Sequence, residues 1–291
     1  MSQVKDIARG FSANGAAASP SKGHYLLFTD SGKLVIKLWT GEAFTEEQLV
    51  SSSVRAGSTA AYIPTDEPLV IGITSGSKLA VFQYDEEEEE WTEDKTLPAL
   101  AVHPSGKVAA TLWQGTVRVV VQGAGGELTY LSKPAAGGEW TTTKLAAAVQ
   151  PLVGAALSFS HPGGDVFYVS GADQYVHGLY EAEKWADSVV VKKLVGTLKQ
   201  LFVSTGGTKA AVKAYGLTEE NAVVRCPAVG EKVVLGDIQA DGTFVSKVKE
   251  DPPQDPTSTA DTDPDPSTNN TNTSTQTSTS TNTNTQTCII A

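Results

Sequence analysis

An all-β fold made of five repeated units is predicted by three observations. Five leucines recur at gaps of 48, 48, 49 and 41 residues, and each closes one unit: Leu49, Leu97, Leu145, Leu194 and Leu235. A bulky aromatic residue precedes the first four of them: Phe44, Trp91, Trp140 and Trp185. Short runs of alternating or β-branched residues are separated by Gly- and Pro-rich joints, which is the pattern of strands and turns. Such periods are typical of arrays whose units cannot bury their apolar faces alone.

Each unit contains four short strand patterns, which are clearest in the third unit. That unit divides into four segments: 98–107, 107–123, 125–133 and 135–145. The other units repeat its third strand at 31–39, 76–84, 173–180 and, more weakly, 221–227. Four strands in about 48 residues match one blade of a β-propeller. The sequence therefore predicts a β-propeller of five blades, each with four antiparallel strands. A six-bladed ring is the alternative and needs one further blade.

The propeller is predicted to occupy residues 1–250 as one domain. We expect the N-terminal segment to pair with residues 241–249, because closing the ring removes exposed strand edges. No long helix is predicted. The alanine-rich stretch 143–157 is interpreted as a crossover that leads into an inner strand.

The composition changes at residue 251. Residues 251–266 are acidic and Pro-rich, and 267–287 are almost entirely Ser, Thr, Asn and Gln, so 251–291 is predicted to be a disordered tail. The tail ends in Cys-Ile-Ile-Ala, which fits the pattern for prenylation of Cys288. One lipid chain binds membranes only marginally, so peripheral membrane contact through Cys288 is the most that the pattern predicts. The alternative is a chance ending.

Charge and cysteine content disfavour several classes of function. The net charge is −11, and the tail holds five aspartates with no Lys or Arg, which leaves −6 on the rest. This balance disfavours nucleic-acid binding, which needs clustered basic residues. Two cysteines are too few for a disulfide framework or a CxxC zinc site. No metal or cofactor is expected. Without a visible signal peptide or a long apolar run, a cytoplasmic location is expected.

The sequence contains no nucleophile elbow, P-loop or dinucleotide-binding loop. His103 and His161 each precede a proline at the predicted end of an inner strand, where the central channel of a propeller opens. They are the candidate catalytic residues. The alternative, which we favour, is a turn residue whose side chain bonds to backbone groups. The acidic run 85–90 indicates either a surface for a basic partner or a solvated hairpin loop.

The five tryptophans allow two interpretations: Trp39, Trp91, Trp113, Trp140 and Trp185. They can pack between blades, or they can form flat apolar platforms on which sugars or planar ligands stack. Core packing is the interpretation that we favour for most of them.

The third unit also carries a more specific pattern. An inner strand is followed by Arg-Val-Val-Val-Gln at 118–122, then Gly-x-Leu, Gly-x-Trp and the closing leucine. In these features, residues 100–145 resemble a blade of the fungal fucose-specific lectins, which are six-bladed propellers. In that family an arginine of the second strand and a glutamate of the third hold sugar hydroxyls, and an aromatic ring stacks on the sugar. The resemblance therefore implies ligand-binding residues at Arg118, Tyr130 and Trp140, with Tyr130 in the place of the glutamate.

The other units depart from this pattern. His24 or an aliphatic residue occupies the arginine position, and three further residues occupy the glutamate position: Ile36, Val81 and Gly178. In the lectin family, sugar recognition by the arginine and the glutamate depends on charged hydrogen bonds. The resemblance therefore implies one site, in the third unit.

Three hypotheses about function remain open. The leading one is a lectin-like ligand-binding propeller, whose pocket lies at the channel mouth or between blades and takes a small apolar or weakly polar molecule or a peptide. Lectin-like propellers also occur among fungal biosynthetic proteins, including hetero-Diels–Alderases. Resemblance to these implies an enzyme of secondary metabolism, a pericyclase or cyclase that acts by orienting reactants and excluding water. The third hypothesis is a protein-interaction scaffold tethered by a prenylated tail. Fold alone does not choose among them.

Overall fold

A computed structural model describes residues 3–19, 23–145, 150–192, 197–205, 212–228, 231–248 and 289–290. Within these ranges, twenty strands form five consecutive groups of four antiparallel strands. Most of the predicted tail, including Cys288, lies outside the described residues, as does the repeat marker Leu194. The predicted all-β propeller with five four-stranded blades is confirmed. In the described part of the chain, no helix is long and apolar enough to cross a membrane.

The first three blades follow one another along the chain. Blade 1 contains β1 (Gly15–Ser19), β2 (Gly23–Asp30), β3 (Lys33–Trp39) and β4 (Phe44–Ser51). Blade 2 contains β5 (Ala61–Ile63), β6 (Leu69–Ile73), β7 (Leu79–Asp85) and β8 (Glu90–Glu93). Blade 3 contains β9 (Val108–Trp113), β10 (Thr116–Gln122), β11 (Leu128–Pro134) and β12 (Thr141–Lys144).

Blades 4 and 5 share one continuous sheet. Blade 4 contains β13 (Leu157–His161), β14 (Val166–Val169), β15 (Val176–Tyr180) and β16 (Ala186–Val191), with a short 3₁₀ helix, Glu181–Glu183, before its last strand. Blade 5 contains β17 (Leu198–Ser204), β18 (Lys213–Thr218), β19 (Ala222–Pro227) and β20 (Val233–Ile238), and β21 (Phe244–Ser246) adds a fifth strand. The two blades join because their inner strands β13 and β17 pair in parallel. The predicted third strands coincide with β3, β7, β11, β15 and β19.

Two of the hairpin turns show how the sequence sets strand register. The β2–β3 turn places Ser31 and Gly32 at φ 50° and 79°, and the β9–β10 turn places Gln114 and Gly115 at φ 50° and 68°. Positive φ at both central residues is the geometry whose twist matches that of paired strands, and it favours glycine. Each turn therefore fixes which residues of the two flanking strands lie opposite each other.

A helix, rather than a strand, closes the ring. Helix α1 (Gln3–Phe11) buries Ile7 and Phe11 against Leu26 of blade 1 and against Phe202 of blade 5. The prediction that the N-terminal segment pairs with residues 241–249 is therefore wrong, because β21 pairs with β20 of its own blade. The apolar residues at positions 4, 7, 8 and 11 give the one-sided spacing of an amphipathic helix, a signal that the strand interpretation overlooked.

The inner strands of neighbouring blades contact one another around the ring axis. Contacts run from β1 to β5, from β5 to β9, from β9 to β13 and from β13 to β17. The largest buried cluster spans blades 2, 3 and 4, and further clusters fill the remaining seams. One more strand, β22 (Ile289–Ile290), pairs with β1. Because the blades fill their seams with apolar side chains, polar groups that converge in a seam stand out as candidate sites.

Candidate functional site

The structure brings together two of the three predicted ligand-binding residues. Arg118 on β10 lies opposite Ser132 on β11, and Tyr130 is two residues from Ser132, so Arg118 and Tyr130 share one face of blade 3. That face lies against blade 4. As whole residues, Arg118 and Tyr130 are 7% and 6% exposed.

Trp140 lies on the other face, so the predicted grouping of Arg118, Tyr130 and Trp140 is wrong. The Trp140 Nε1–H donates to Asp94 Oδ2 at 3.1 Å, and Lys133 Nζ lies 3.3 Å from the same oxygen. Asp94 follows the last strand of blade 2, and Lys133 lies opposite Val117, one residue away from Arg118. Since successive side chains of a strand point to opposite faces, this one-residue offset places Trp140 in the seam between blades 2 and 3.

Blade 4 supplies two residues that the sequence reasoning did not assign to the Arg118 site. Glu181 pairs with Arg118 Nη1, and the Trp185 ring packs on Tyr130 with centroids 4.7 Å apart at 53°. Both residues lie in the turn that begins with the 3₁₀ helix, where Lys184 and Trp185 have φ 56° and 63°. A bulky residue with positive φ is a backbone outlier, and this one directs the Trp185 ring into the seam. The four residues Arg118, Tyr130, Glu181 and Trp185 are named here the Arg118 cluster.

The Arg118 cluster is closely packed on its blade 4 side. A Cβ atom added to Gly164 would lie 2.3 Å from Arg118 Nη1 and 3.0 Å from Trp113 Cδ1. Only a glycine therefore lets the loop between β13 and β14 approach the guanidinium this closely. The loop and the 181–185 turn together cover Arg118.

The electrostatics of the Arg118 cluster follow from this burial. Glu181 keeps 45% of its side chain exposed, whereas the Arg118 side chain is 8% exposed. Burial, followed by the Glu181 charge, raises the pKa of Tyr130, and Arg118 partly opposes this, so the phenol stays neutral at ordinary pH. Arg118 Nε is buried and has no hydrogen-bond acceptor among the described residues. The cluster therefore combines a satisfied ion pair with one unsatisfied donor.

The two candidate catalytic histidines do not occupy equivalent places. His161 is the last residue of inner strand β13, whereas His103 lies in the turn before inner strand β9, so the predicted equivalence is wrong. His103 Nδ1 accepts a hydrogen bond from the Ser105 backbone N–H at 3.1 Å, and burial lowers the pKa of His161. Among the described residues, no carboxylate lies within hydrogen-bond distance of either ring. Neither histidine therefore has the orienting partner that is typical of a general base.

The acidic run lies in the exposed hairpin between β7 and β8. Its last two residues line a cleft of about 430 Å³ at the rim between blades 1 and 2, together with Tyr84 and Trp91. Trp91 Nε1–H donates to Gln48 across this seam at 3.1 Å. This tryptophan thus links two blades, as the core-packing interpretation expects.

A larger cleft, of about 510 Å³, lies where the ring closes. Three parts of the chain line it: helix α1, the strand ends of blade 1 from Ala18 to Gly41, and the β20–β21 turn at 241–244 of blade 5. We name it the closing-seam cleft. It lies between blades, one of the two locations that the leading hypothesis allows.

An arginine and a tryptophan define one wall of the closing-seam cleft. The Arg9 guanidinium lies over the Trp39 ring, 4.2 Å from its centroid, and the Phe44 ring packs against Trp39 at 5.1 Å. Among the described residues, the Arg9 side chain has no hydrogen-bond acceptor. Stacking leaves the edge of a planar guanidinium, with its N–H donors, free to bind other groups.

The opposite wall is acidic and hydroxylic. Asp241 Oδ1 accepts the Thr243 backbone N–H at 2.9 Å, and such hydrogen bonds lower the pKa of this carboxyl, which is therefore charged. Five ionisable side chains line the cleft: Lys5, Asp6, Arg9, His24 and Asp241. No group of three or more His, Cys, Asp or Glu side chains suited to a metal occurs in the described ranges. The cleft can thus donate and accept hydrogen bonds beside an aromatic ring.

Sequence reasoning missed this cleft because helix α1 supplies its arginine. His24 and Trp39 are directly opposite each other on β2 and β3, and both drew notice as single residues. The missing signal was the apolar spacing of α1, which would have placed a helix beside blade 1 with Arg9 on its polar side.

Comparison with known proteins identifies the fold. No protein-family model matches the chain, and no curated protein matches it. Among solved structures, AofleA from Arthrobotrys oligospora matches with a TM-score of 0.57 at 16% identity, over 81% of this chain and 79% of that chain. The Aleuria aurantia lectin, described as a six-bladed β-propeller with a novel mode of fucose recognition, matches at 0.54 and 16%, over 79% and 80%. The SapL1 lectin in complex with α-methyl fucoside matches at 0.56 and 14%, over 78% and 81%.

These likenesses show a shared propeller fold. The fungal lectin described as six-bladed is covered over 80% of its length, close to the share that five of six blades would cover. The predicted lectin-like fold is therefore confirmed, and the five blades distinguish this chain from that six-bladed structure.

Proposed function

We propose that this chain is a lectin-like, carbohydrate-binding propeller whose glycan site is the closing-seam cleft. The single observation that carries the proposal is Arg9, which stacks on Trp39 and faces the cleft without a hydrogen-bond acceptor in the described part of the chain. The structural neighbours include a lectin in complex with α-methyl fucoside, which supports a saccharide as the class of ligand.

The lining of the cleft suits a polyol. A sugar presents hydroxyl groups that both donate and accept, and apolar C–H faces that pack on aromatic rings. Arg9 supplies donors, Asp241 supplies an acceptor, and Trp39 supplies an aromatic ring. Five ionisable side chains line the cleft, so a polar ligand fits it better than the apolar intermediate that the pericyclase hypothesis requires.

A glycan array probed with the full chain tests the proposal. We expect binding to saccharides that include fucosides, and we expect Trp39→Ala and Arg9→Ala each to weaken the best ligand at least tenfold, about 1.4 kcal/mol. Arg9→Lys keeps the charge but loses the stacked plane, so it should not restore full affinity. Thermal melting would show that each variant is folded.

Two matched variants serve as controls. Trp91→Ala removes a tryptophan at the rim between blades 1 and 2, and Arg225→Ala removes an exposed arginine of blade 5. Both should keep wild-type affinity. Absence of any glycan bound by the wild-type chain would overturn the proposed function. Glycan binding that is unchanged by both the Trp39 and the Arg9 substitutions would show that the glycan site lies elsewhere on the chain.

A further inference from the structure

The inner edge of blade 1 carries a strand from a distant part of the chain. Strand β22 pairs with β1 in antiparallel register, with Ala16 opposite Ile290 and Ala17 opposite Ile289. On its other side β1 pairs with β2. Strand β22 thus occupies the edge of blade 1 that faces the ring axis.

Further contacts place β22 at the hub of the propeller. It lies against inner strands β5 and β9 of blades 2 and 3 as well as against β1, and it also contacts helix α1. Small, buried residues lie in or directly before these inner strands: Ala16 and Ala17 of β1, Ala60 and Ala61 at the start of β5, and Ala109 and Ala110 of β9. Small side chains near the axis leave room for one additional strand.

The hub edge of β1 has a physical need for a partner. An inner strand that faces the axis exposes a row of backbone N–H and C=O groups, and such groups are costly when they are buried without partners. In blades 4 and 5 this need is met by the parallel pairing of β13 with β17. In blade 1 the strand at 289–290 meets it. Main-chain pairing of this kind is how sheet edges bind extended peptides.

The connection is long enough to reach the hub. Forty residues, 249–288, separate the last described part of blade 5 from β22. At about 3.3 Å per extended residue, that length far exceeds the dimensions of a propeller of this size. The length of the connection therefore does not prevent β22 from reaching β1.

We propose that the hub of this propeller is a strand-accepting groove and that the chain fills it with its own 289–290 segment. The segment is an internal ligand of β1, and it occupies the central channel. The proposal does not depend on carbohydrate binding. It also assigns the hub a different role from the small-molecule pocket at the channel mouth that the sequence analysis considered.

Hydrogen exchange measured by mass spectrometry tests the pairing in the full chain. The double variant Ile289→Asp/Ile290→Asp adds two charges to the segment that pairs with β1, and charged residues oppose the transfer of a strand from water. We expect the β1 amides that do not pair with β2 to exchange at least tenfold faster in this variant. The peptide covering β11 serves as an internal reference and should not change. The control Thr283→Asp/Thr285→Asp adds the same charge to the tail outside β22 and should leave β1 protected.

Adding a peptide distinguishes loss of the β22 pairing from a general loss of folding. A synthetic peptide of residues 284–291 with Cys288→Ser, added to the double variant, should restore protection of β1 in a saturable manner. A scrambled peptide should not. Wild-type exchange of β1 in the double variant would overturn the proposal. Exchange that rises in every blade and is not reversed by the peptide would overturn it as well.

Discussion

Two seams of the propeller contain the same kinds of residue in opposite arrangements. Between blades 3 and 4, Arg118 is 7% exposed and paired with Glu181, and an aromatic pair packs beside it. At the closing seam, Arg9 stacks on Trp39 beside a cleft of about 510 Å³, and the structure describes no acceptor for it. An arginine, a carboxylate and a tryptophan therefore do not by themselves make a binding site. Whether the arginine is already paired decides what it can bind.

The two seams differ because different elements face blade 3 at the Arg118 seam and blade 1 at the closing seam. Blade 4 presents the tight 181–185 turn and the Gly164 loop, which cover Arg118 from two sides. At the closing seam a nine-residue helix faces blade 1. A helix and a sheet edge differ in shape, and the space between them is the closing-seam cleft.

The largest effect is expected from Arg118→Ala. The substitution removes a buried guanidinium and breaks its ion pair, while the half-exposed Glu181 can regain water. We expect a loss of about 3 kcal/mol in the free energy of unfolding, measured by urea denaturation, because the packed stem of the side chain leaves a cavity in the seam. Affinity for glycan at the closing-seam cleft should not change. The exposed Arg225→Ala should cost less than about 0.5 kcal/mol. If Arg118→Ala kept wild-type stability but no longer bound glycan, the ligand site would lie at the Arg118 cluster and not at the closing-seam cleft.

The second prediction concerns how closely the Arg118 seam is packed. Gly164→Ala places a methyl group 2.3 Å from Arg118 Nη1, so the loop or the guanidinium must move. Overpacking of this kind should cost about 2 kcal/mol in denaturant unfolding. Gly76→Ala is the matched control, because the nearest atom to its added Cβ is 3.8 Å away. Equal stability of the two variants would show that this seam has space for a ligand after all.

The sequence predicted the blades well because their signals are local. Turn glycines such as Gly32 and Gly115 and the alternating strands between them fix each hairpin within about ten residues. The repeat then set the number of blades. The way in which the ring closes could not be predicted from local signals, since it depends on how α1 packs between the first and last blades.

The candidate site was predicted less well, and for a physical reason. Arg118 and Tyr130 were grouped correctly because they lie on adjacent strands of one hairpin. Trp140 was placed on the wrong face because one residue of register reverses a side chain. Glu181 and Trp185 come from the next blade, and no spacing along the chain encodes which residues of two blades meet.

The smallest effect on stability is expected in a third seam, the one between blades 2 and 3. Burial alone would raise the pKa of Asp94, but hydrogen bonds from Thr96 and Trp140, together with the Lys133 charge, lower it to about 2. This seam thus resembles the Arg118 seam in that charged groups satisfy one another. Its polar groups satisfy one another, so the effect expected from substituting Trp140 is one on stability.

Trp140→Phe keeps an aromatic ring but removes the Nε1–H donor, so it should cost about 1 kcal/mol near neutral pH. The pKa of Asp94 is lower in the folded chain, at about 2, than its ordinary 3.8. Its ionised form therefore stabilises the fold above about pH 4, and that stabilisation is lost as the pH falls toward 2. Urea unfolding between pH 2 and 6 should show the Trp140→Phe deficit shrinking over this interval, and Asp94→Asn should abolish the dependence. A deficit that is constant across the interval would mean that the indole acts by packing alone and that this seam, unlike that of Arg118, is not held by charge.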